Sequence, residues 1–447
     1  MKFTLLSAVI LTALSATSFA ATEQTFSDGL KIKLNEKSTG SDLRIYKDKP
    51  VLAIANPDKN KISHNYFDEF NVGKEGLYIG NNKKADTIVA EVVSNSLSQL
   101  KGGIEILGNP GNLVIANPNG ITCSGCSFSN APEVTFANAG IDDVFSSGNM
   151  ALLKNSKGGI SIADTNIGTD TQRNDLKKLS LISDDISISR SKIHVPEINI
   201  ELMRNEGDNV GWSSLLGSFY KDDTGHTNDT RETNRIKSSL AINKNTILNA
   251  KKININLNES LFTNKGTLEG DHLTVTNTVW KDNFHSQSLI TPEMTMINKG
   301  EIKSKLFTIK TTPKTSFAVD IDAYKSTFIN NGFIASHVNA DLNNSIFINN
   351  NVITKNNDIG GSIKLNLNNA EFINNHFIRT SGITIEHRGD AKFINNNSIY
   401  LSNLTDYSGK HPVSGEFDSE NFTLANKGNI YKYNSYKKTY KKAELSN

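Results

Sequence analysis

Phe328-Ile329-Asn330-Asn331-Gly332-Phe333-Ile334 returns as Phe347-Ile348-Asn349-Asn350-Asn351-Val352-Ile353, as Phe372-Ile373-Asn374-Asn375-His376-Phe377-Ile378 and as Phe393-Ile394-Asn395-Asn396-Asn397-Ser398-Ile399, at offsets of 19, 25 and 21 residues. Looser copies run from Phe262 to Leu268, Met296 to Ile302 and Leu424 to Ile430, each with Asn-Lys-Gly at its centre. A period near twenty residues without a helical pattern fits one coil of a parallel β-solenoid. In each copy a short strand sends Phe or Ile to the interior, the Asn-Asn-x step turns a corner, and a second strand begins. Stacked coils bond to one another at about 4.8 Å, bury a continuous apolar column and can align their asparagines in ladders. Asparagine suits a corner because it tolerates the left-handed region better than other residues with a side chain. A structural role accounts for these asparagines better than contacts to a ligand or sugar. The expected fold class is all-β, a right-handed parallel β-helix (solenoid) from about Thr25 to Ile430.

Composition agrees. With 37% hydrophobic residues, a net charge of +2 and a pI near 8.2, the chain lacks the charge excess of a disordered protein and the basic bias of a nucleic-acid binder. No nucleic-acid partner is expected. Nine prolines, 31 glycines and many Asn, Ser, Thr, Ile and Leu favour short strands joined by polar turns. A weak hint of a helical turn lies at Asn174 to Leu181.

The start of the chain reads as an export signal. Lys2 supplies a positive charge, Phe3 to Ala16 an apolar run, and Ser18-Phe19-Ala20 the small residues a signal peptidase reads. The run is shorter than the ~20 residues that span a bilayer. Residues 1–20 are therefore expected to be removed, with the mature chain starting at Ala21 and any membrane attachment coming through a partner.

Two dense blocks precede the repeats. Ile104 to Asn130 packs two apolar runs, two Asn-Pro turns and both cysteines together and reads as a sheet corner. Ile62 to Asn82 alternates aromatic and polar residues before what reads as a glycine-punctuated hairpin. Through Ser63-His64-Asn65, Phe70-Asn71-Val72-Gly73, Gly76-Leu77, Asn81-Asn82, the run Val114 to Ile121, Cys123 and Cys126, the chain resembles the amino-terminal secretion domain of two-partner secretion exoproteins. These are the filamentous haemagglutinins, Serratia-type haemolysins and contact-dependent inhibition proteins. The resemblance covers roughly Ala21 to Ile200 and thins after Asp164.

The resemblance implies a capped amino-terminal secretion domain and a transport mechanism. The chain would reach the periplasm of a Gram-negative bacterium, be recognised while still unfolded or partly folded by the periplasmic domains of an outer-membrane β-barrel transporter, and fold outside, secreted or on the cell surface. By motif match the candidate recognition residues are Asn65, Phe70, Asn71, Gly73, Asn117, Pro118, Asn119 and Gly120, and His64 is explained by the motif it belongs to. The competing reading is that these residues only shape turns of the cap and first coils. Family members are usually much longer, so the chain reads as a compact exoprotein, a truncated product or a remnant of a larger one. The implied function is an adhesin-like structural or cell-surface binding protein, with a host-cell surface or polysaccharide as its further partner. A haemolysin or cytolysin, or a truncated contact-dependent toxin-delivery protein, is the alternative, and a β-helix carbohydrate-active enzyme a distant third.

The expected organisation is a signal peptide (1–20), a secretion domain (21–211), a loop or junction (212–235), a short β-helix repeat region (236–430) and a basic tail (431–447). The junction WSSLLGSFYKDDTGHTNDTRETNR loses apolar periodicity. The tail, rich in Lys and Tyr, reads as disordered or loosely packed, with binding to anionic lipid or polysaccharide as the other reading.

Cys123 and Cys126 flank Ser124-Gly125 in a turn rather than at a helix start, which argues against a redox pair. A zinc site would need two further ligands, and there are no other cysteines and no nearby histidine pair. An exported chain crosses an oxidising compartment, so a local Cys123–Cys126 disulfide is expected, worth only about 2 kcal/mol for so short a ring. The pairs Asp142-Asp143, Asp184-Asp185 and Asp222-Asp223 could in principle form acid–base or calcium clusters but are scattered. No Gly-x-Ser-x-Gly, HExxH or phosphate loop occurs. No catalytic residue, metal or cofactor is expected, and the chain is read as a non-enzyme.

Overall fold

The computed structural model describes residues 22–142, 151–153, 157–168, 175–202, 238–257, 260–277, 295–311, 321–324, 327–330, 333–354, 362–401, 413–414, 422–434 and 439–442. The expected signal peptide at 1–20 and the junction at 212–235 lie outside them, as do Asp143 and the Asp222-Asp223 pair. Every regular element among the described residues is a β-strand. The chain divides into two compact units, Met1–Ile236 and Lys237–Asn447.

In the first unit the block Ile104 to Asn130 runs through a whole coil. Gly103–Gly108 lies parallel between Leu77–Asn81 and Ser127–Ser129. Asn112–Ala116 lies parallel between Thr87–Val92 and Glu133–Ala137. Ile121–Ser124 lies parallel between Ser98–Leu100 and Ile160–Ala163. Three successive strands thus enter three different sheets, so the block is one three-faced turn of a parallel β-helix rather than a single sheet corner. The upstream block likewise contains no hairpin: Ile62–Phe70 pairs with Thr87–Val92, whereas Leu77–Asn81 pairs with Lys49–Ala53 and Gly103–Gly108. Gly73 and Gly76, the latter at φ 83, lie where the chain turns from one face to the next.

The face built by Thr87–Val92, Asn112–Ala116 and Glu133–Ala137 is covered on both sides. Leu113, Ile115, Val134 and Phe136 are fully buried, and the residues between them in the strands, Val89, Val114, Ala116 and Ala137, cluster with Ala139 and Ile141. Ile141 belongs to Gly140–Asp142, which forms an antiparallel pair with Ala151–Leu153. Double coverage explains why these strands read as nearly continuous apolar runs. The edge at the start of the unit is closed by antiparallel strands: Glu23–Thr25 on Lys31–Leu34, and Lys31–Leu34 on Ile62–Phe70. Lys31 with Glu23 at 2.7 Å and Lys33 with Asp68 at 3.3 Å make this cap polar, a composition that discourages pairing with other chains.

In the second unit the repeats stack in register. Leu240, Phe262, Met296, Phe328, Phe347, Phe372, Phe393 and Leu424 occupy one row across eight parallel strands. Phe347, Phe372 and Phe393 are buried to 1% exposure or less, with ring centroids 4.9 and 5.3 Å apart, and each contributes roughly 1.5–3 kcal/mol by burial. It is the Phe that points inward, and the following Ile348 and Ile373 are half-buried on the outer side. Two residues beyond each Phe the side chains form a continuous ladder. Nδ2 of Asn264, Asn298, Asn330, Asn349, Asn374 and Asn395 donates to Oδ1 of the next, ending at Asn426, over 2.7 to 2.9 Å.

The ladder changes the physical account of the repeat. These asparagines are chosen because a carboxamide is donor and acceptor at once, so one buried row satisfies itself however long the loops between coils. They do not supply the left-handed corner. That conformation falls at Asn344 (φ 48) and Asn369 (φ 47), at a different turn.

Two further expectations change. The helical hint at Asn174 to Leu181 is overturned, Asn174 lying outside the described residues and Lys178–Ser183 being a strand parallel to Glu133–Ala137 and Glu197–Leu202. Leu179 and Leu181 flank Ser180 and are buried on one side of it, so tertiary pairing overrides a weak local preference. The tail is not irregular in its described part: Asn429–Asn434 pairs antiparallel with Thr439–Lys442, while residues 435–438 and 443–447 lie outside the described set.

Candidate functional site

Asn117, Pro118, Asn119 and Gly120 form the corner between Asn112–Ala116 and Ile121–Ser124. Asn117 has no exposed surface, and every polar atom it owns is used. Its Nδ2 donates to Ser96 O and Ser98 Oγ, both at 2.9 Å, and its Oδ1 accepts from the backbone N–H of Asn119 at 2.9 Å and from Asn119 Nδ2 at 3.0 Å. Its backbone N–H donates to Ala137 O at 2.9 Å, and its carbonyl accepts from Asn138 Nδ2 at 2.9 Å and Gly120 N at 3.1 Å. Pro118 is buried and its carbonyl accepts from Lys157 N at 2.7 Å. Asn119, half-buried, donates through Nδ2 to Ser94 O at 2.7 Å. Gly120 has φ +111, and a Cβ there would sit 3.0 Å from Gly159 O on the next coil, so only glycine fits the turn.

The second group lies on the same face, because Ile62–Phe70 pairs with Thr87–Val92, which pairs with Asn112–Ala116. Asn65 is buried, donating to Ser63 O and Val89 O at 3.1 Å and accepting from Ala55 N and Ser41 Oγ at 2.8 Å. Phe70 is buried edge-on against Phe67 at 4.8 Å. Asn71, 4% exposed, bridges Lys31 O and the N–H of Gln99 at 2.8 and 2.9 Å. Gly73 packs so closely that a Cβ would come within 2.5 Å of the Phe26 side chain. Beside it Ser27 N donates to Glu75 Oε1 at 2.5 Å, and the Ser27 side chain, then backbone N–H groups, hold the Glu75 carboxyl below the usual carboxylate range. The eight motif residues thus form two saturated turn networks. They do not converge on one exposed patch.

Sequence reasoning missed Glu91. It is 5% exposed in Thr87–Val92; its Oε1 accepts from Ile141 N at 2.8 Å and its Oε2 lies 2.7 Å from His64 Nε2. His64 in turn stacks on Tyr66 at 4.1 Å. The His64–Glu91 pair therefore ties the motif strand to the segment that covers the outer face. A lone glutamate inside the apolar run Thr87-Ile88-Val89-Ala90-Glu91-Val92 was the available signal, since a buried carboxylate demands partners.

Cys123 and Cys126 are bonded and each 1% exposed. Thr165 Oγ1, on the next coil, accepts from Gly125 N at 2.8 Å inside the ring. Peptide mapping without reduction is expected to recover the 123–126 segment two hydrogens lighter than the dithiol. Full alkylation of both thiols without reductant would refute the bond in the native protein. Asp142 and Asp185 lie in strands of different faces, and no group of three or more His, Cys, Asp or Glu that could hold a metal occurs among the described residues.

A family model for the TPS secretion domain matches residues 33–304, more than half of the chain. The tRNA nuclease CdiA of Yersinia mollaretii is 34% identical over 183 residues, 36% of this chain and 6% of that protein. The filamentous hemagglutinin of Bordetella pertussis is 36% identical over 105 residues, 19% of this chain and 3% of that protein. This chain thus matches only a small fraction of the length of these curated relatives. The crystal structure of the filamentous hemagglutinin secretion domain superposes with a TM-score of 0.46 at 17% identity, over 69% of this chain and 96% of that one.

Proposed function

The chain belongs to the TPS secretion domain family, and on that premise we propose that it is a secreted exoprotein, exported by an outer-membrane β-barrel partner with periplasmic domains, that acts outside the cell as an adhesin-like structural protein. No catalytic step is assigned to this chain. The observation that carries the transport half is the burial of the motif. Asn65, Asn71 and Asn117 expose 0, 4 and 0% of their surface, and their amides are spent on neighbouring turns. A transporter that reads these residues must meet them before the coils close. Folding then hides the signal and supplies the saturated networks that make return unfavourable.

This reading makes one residue class serve twice, as an address in the unfolded chain and as turn bonds in the folded one. Asn117→Ala and Asn71→Ala are expected to leave the chain in the periplasm of cells that carry the partner barrel. Wild-type amounts of both variants in the medium would sink the recognition role. Purified Asn117→Ala protein separates the two roles, because it should also lose roughly 2–4 kcal/mol, the cost of several buried partners left unpaired.

A further inference from the structure

The corner that follows the Phe-x-Asn strands in the later repeats carries no acid. Residues 347–354, 372–380, 393–401, 424–434 and 439–442 contain no Asp or Glu, yet contain Arg379, Lys427, Lys432, Lys441 and Lys442. Over the whole chain 48 Lys and Arg stand against 46 Asp and Glu, so the separation of charge here is local. The strand register then places Arg379 beside Tyr400, Tyr400 beside Tyr431 and Tyr431 beside Lys442. This makes one row across four adjacent strands, with an exposed cation at each end, about 14 Å apart at the usual strand spacing.

Two kinds of group flank that row. Phe377 packs tilted against the Tyr400 ring at 5.1 Å, and Tyr400 stacks on Tyr431 at 4.7 Å. At the neighbouring corner a second, exposed carboxamide ladder runs in the stacking direction: Asn375 Nδ2 donates to Asn350 Oδ1 at 2.8 Å and Asn396 Nδ2 to Asn375 Oδ1 at 2.7 Å. We propose that this surface of the second unit binds a linear anionic polysaccharide laid along the stacked coils. Arg379, with its bidentate fork, and Lys442 would pair with carboxylate or sulfate groups. The exposed carboxamides would meet hydroxyls, and the half-buried aromatic stack would form an apolar floor. An anionic membrane is the poorer fit. The Tyr400 and Tyr431 rings are spent face to face and half-buried, so neither projects to insert between lipids.

The proposal deepens the adhesin half of the reading above and rests on it, but not on the export half. Its test uses the purified full chain, so a protein that binds yet is not exported sinks only the transport reading, and one that is exported yet does not bind sinks only this one. The probes are heparin as a sulfated chain, polygalacturonate as a uronate chain, dextran as a neutral one, and phosphatidylserine vesicles. Expected is binding to heparin or polygalacturonate but not dextran, weakened by salt, and about tenfold weaker in the Arg379→Glu, Lys442→Glu pair. Lys251→Glu, at an exposed site in another part of the unit, should bind like the parent. If the pair does not fold, Lys442→Glu alone should give the same direction. Unchanged binding in the folded pair, an equal loss in Lys251→Glu, or binding to vesicles alone would overturn the proposal.

Discussion

Phe372→Asp is expected to destabilise the second unit by about 4 kcal/mol or more, the cost of an emptied aromatic site together with a buried, unpaired charge. Phe372 is fully buried between Phe347 and Phe393 in the row that closes the repeats. Each coil is stabilised chiefly by the coils on either side, so the damage should begin locally. Amide exchange is expected to accelerate first in Thr327–Asn330, Ile346–Asn349, Glu371–Asn374 and Ala391–Asn395, while Asn112–Ala116 in the first unit keeps its protection. Phe372→Leu, which keeps the site apolar, should cost only about 1–2 kcal/mol. A uniform loss of protection in both units, or equal effects of the two substitutions, would refute the row as the element that holds these coils.

Asn374→Asp should cost roughly 3–4 kcal/mol at neutral pH, and the deficit should shrink in acid. Asn374 accepts from Asn349 Nδ2 and donates to Asn395 Oδ1 and to His376 O, each at 2.8 Å. A carboxylate can keep the first bond, but it would face two acceptor oxygens with no proton to offer and carry a buried charge. When protonated it becomes a donor again and restores the bond to Asn395. Burial and the facing acceptors therefore raise the folded-state pKa of the new carboxyl above its unfolded value of about 3.9. With the folded value raised, the recovered stability is fully present below the unfolded pKa and is lost as pH rises through the folded one. The measurement is the difference in unfolding free energy between variant and parent from pH 3 to 7. A difference that does not vary with pH would count against a donor–acceptor ladder, and Asn374→Leu, which cannot titrate, should show no such trend.

The solenoid was readable because its period and its chemistry repeat in the chain itself: Phe-Ile-Asn-Asn recurs, and Phe347, Phe372 and Phe393 stack as the repeat requires. The disulfide was readable from the two cysteines and the compartment, and it is present. The motif residues of the first unit could be named in the chain, but not their surroundings. Asn65 and Asn117 are saturated by partners from coils about 20 to 25 residues away, such as Val89, Ser98 and Ala137.

By itself the sequence determined the class of structure, the coil period and the family, since all three are written in local spacing and residue type. Only the tertiary structure decided which way each residue faces and what it meets. Phe372 rather than Ile373 points inward, Asn374 serves a ladder rather than a left-handed turn, and Ile104 to Asn130 circles three faces instead of bending once. Glu91 acquires its role from His64 and from Ile141, 50 residues further on. The physical reason is that a parallel coil makes its bonds to the coils above and below, so partners are set by how many residues each turn consumes, and that number is fixed by the stacking itself.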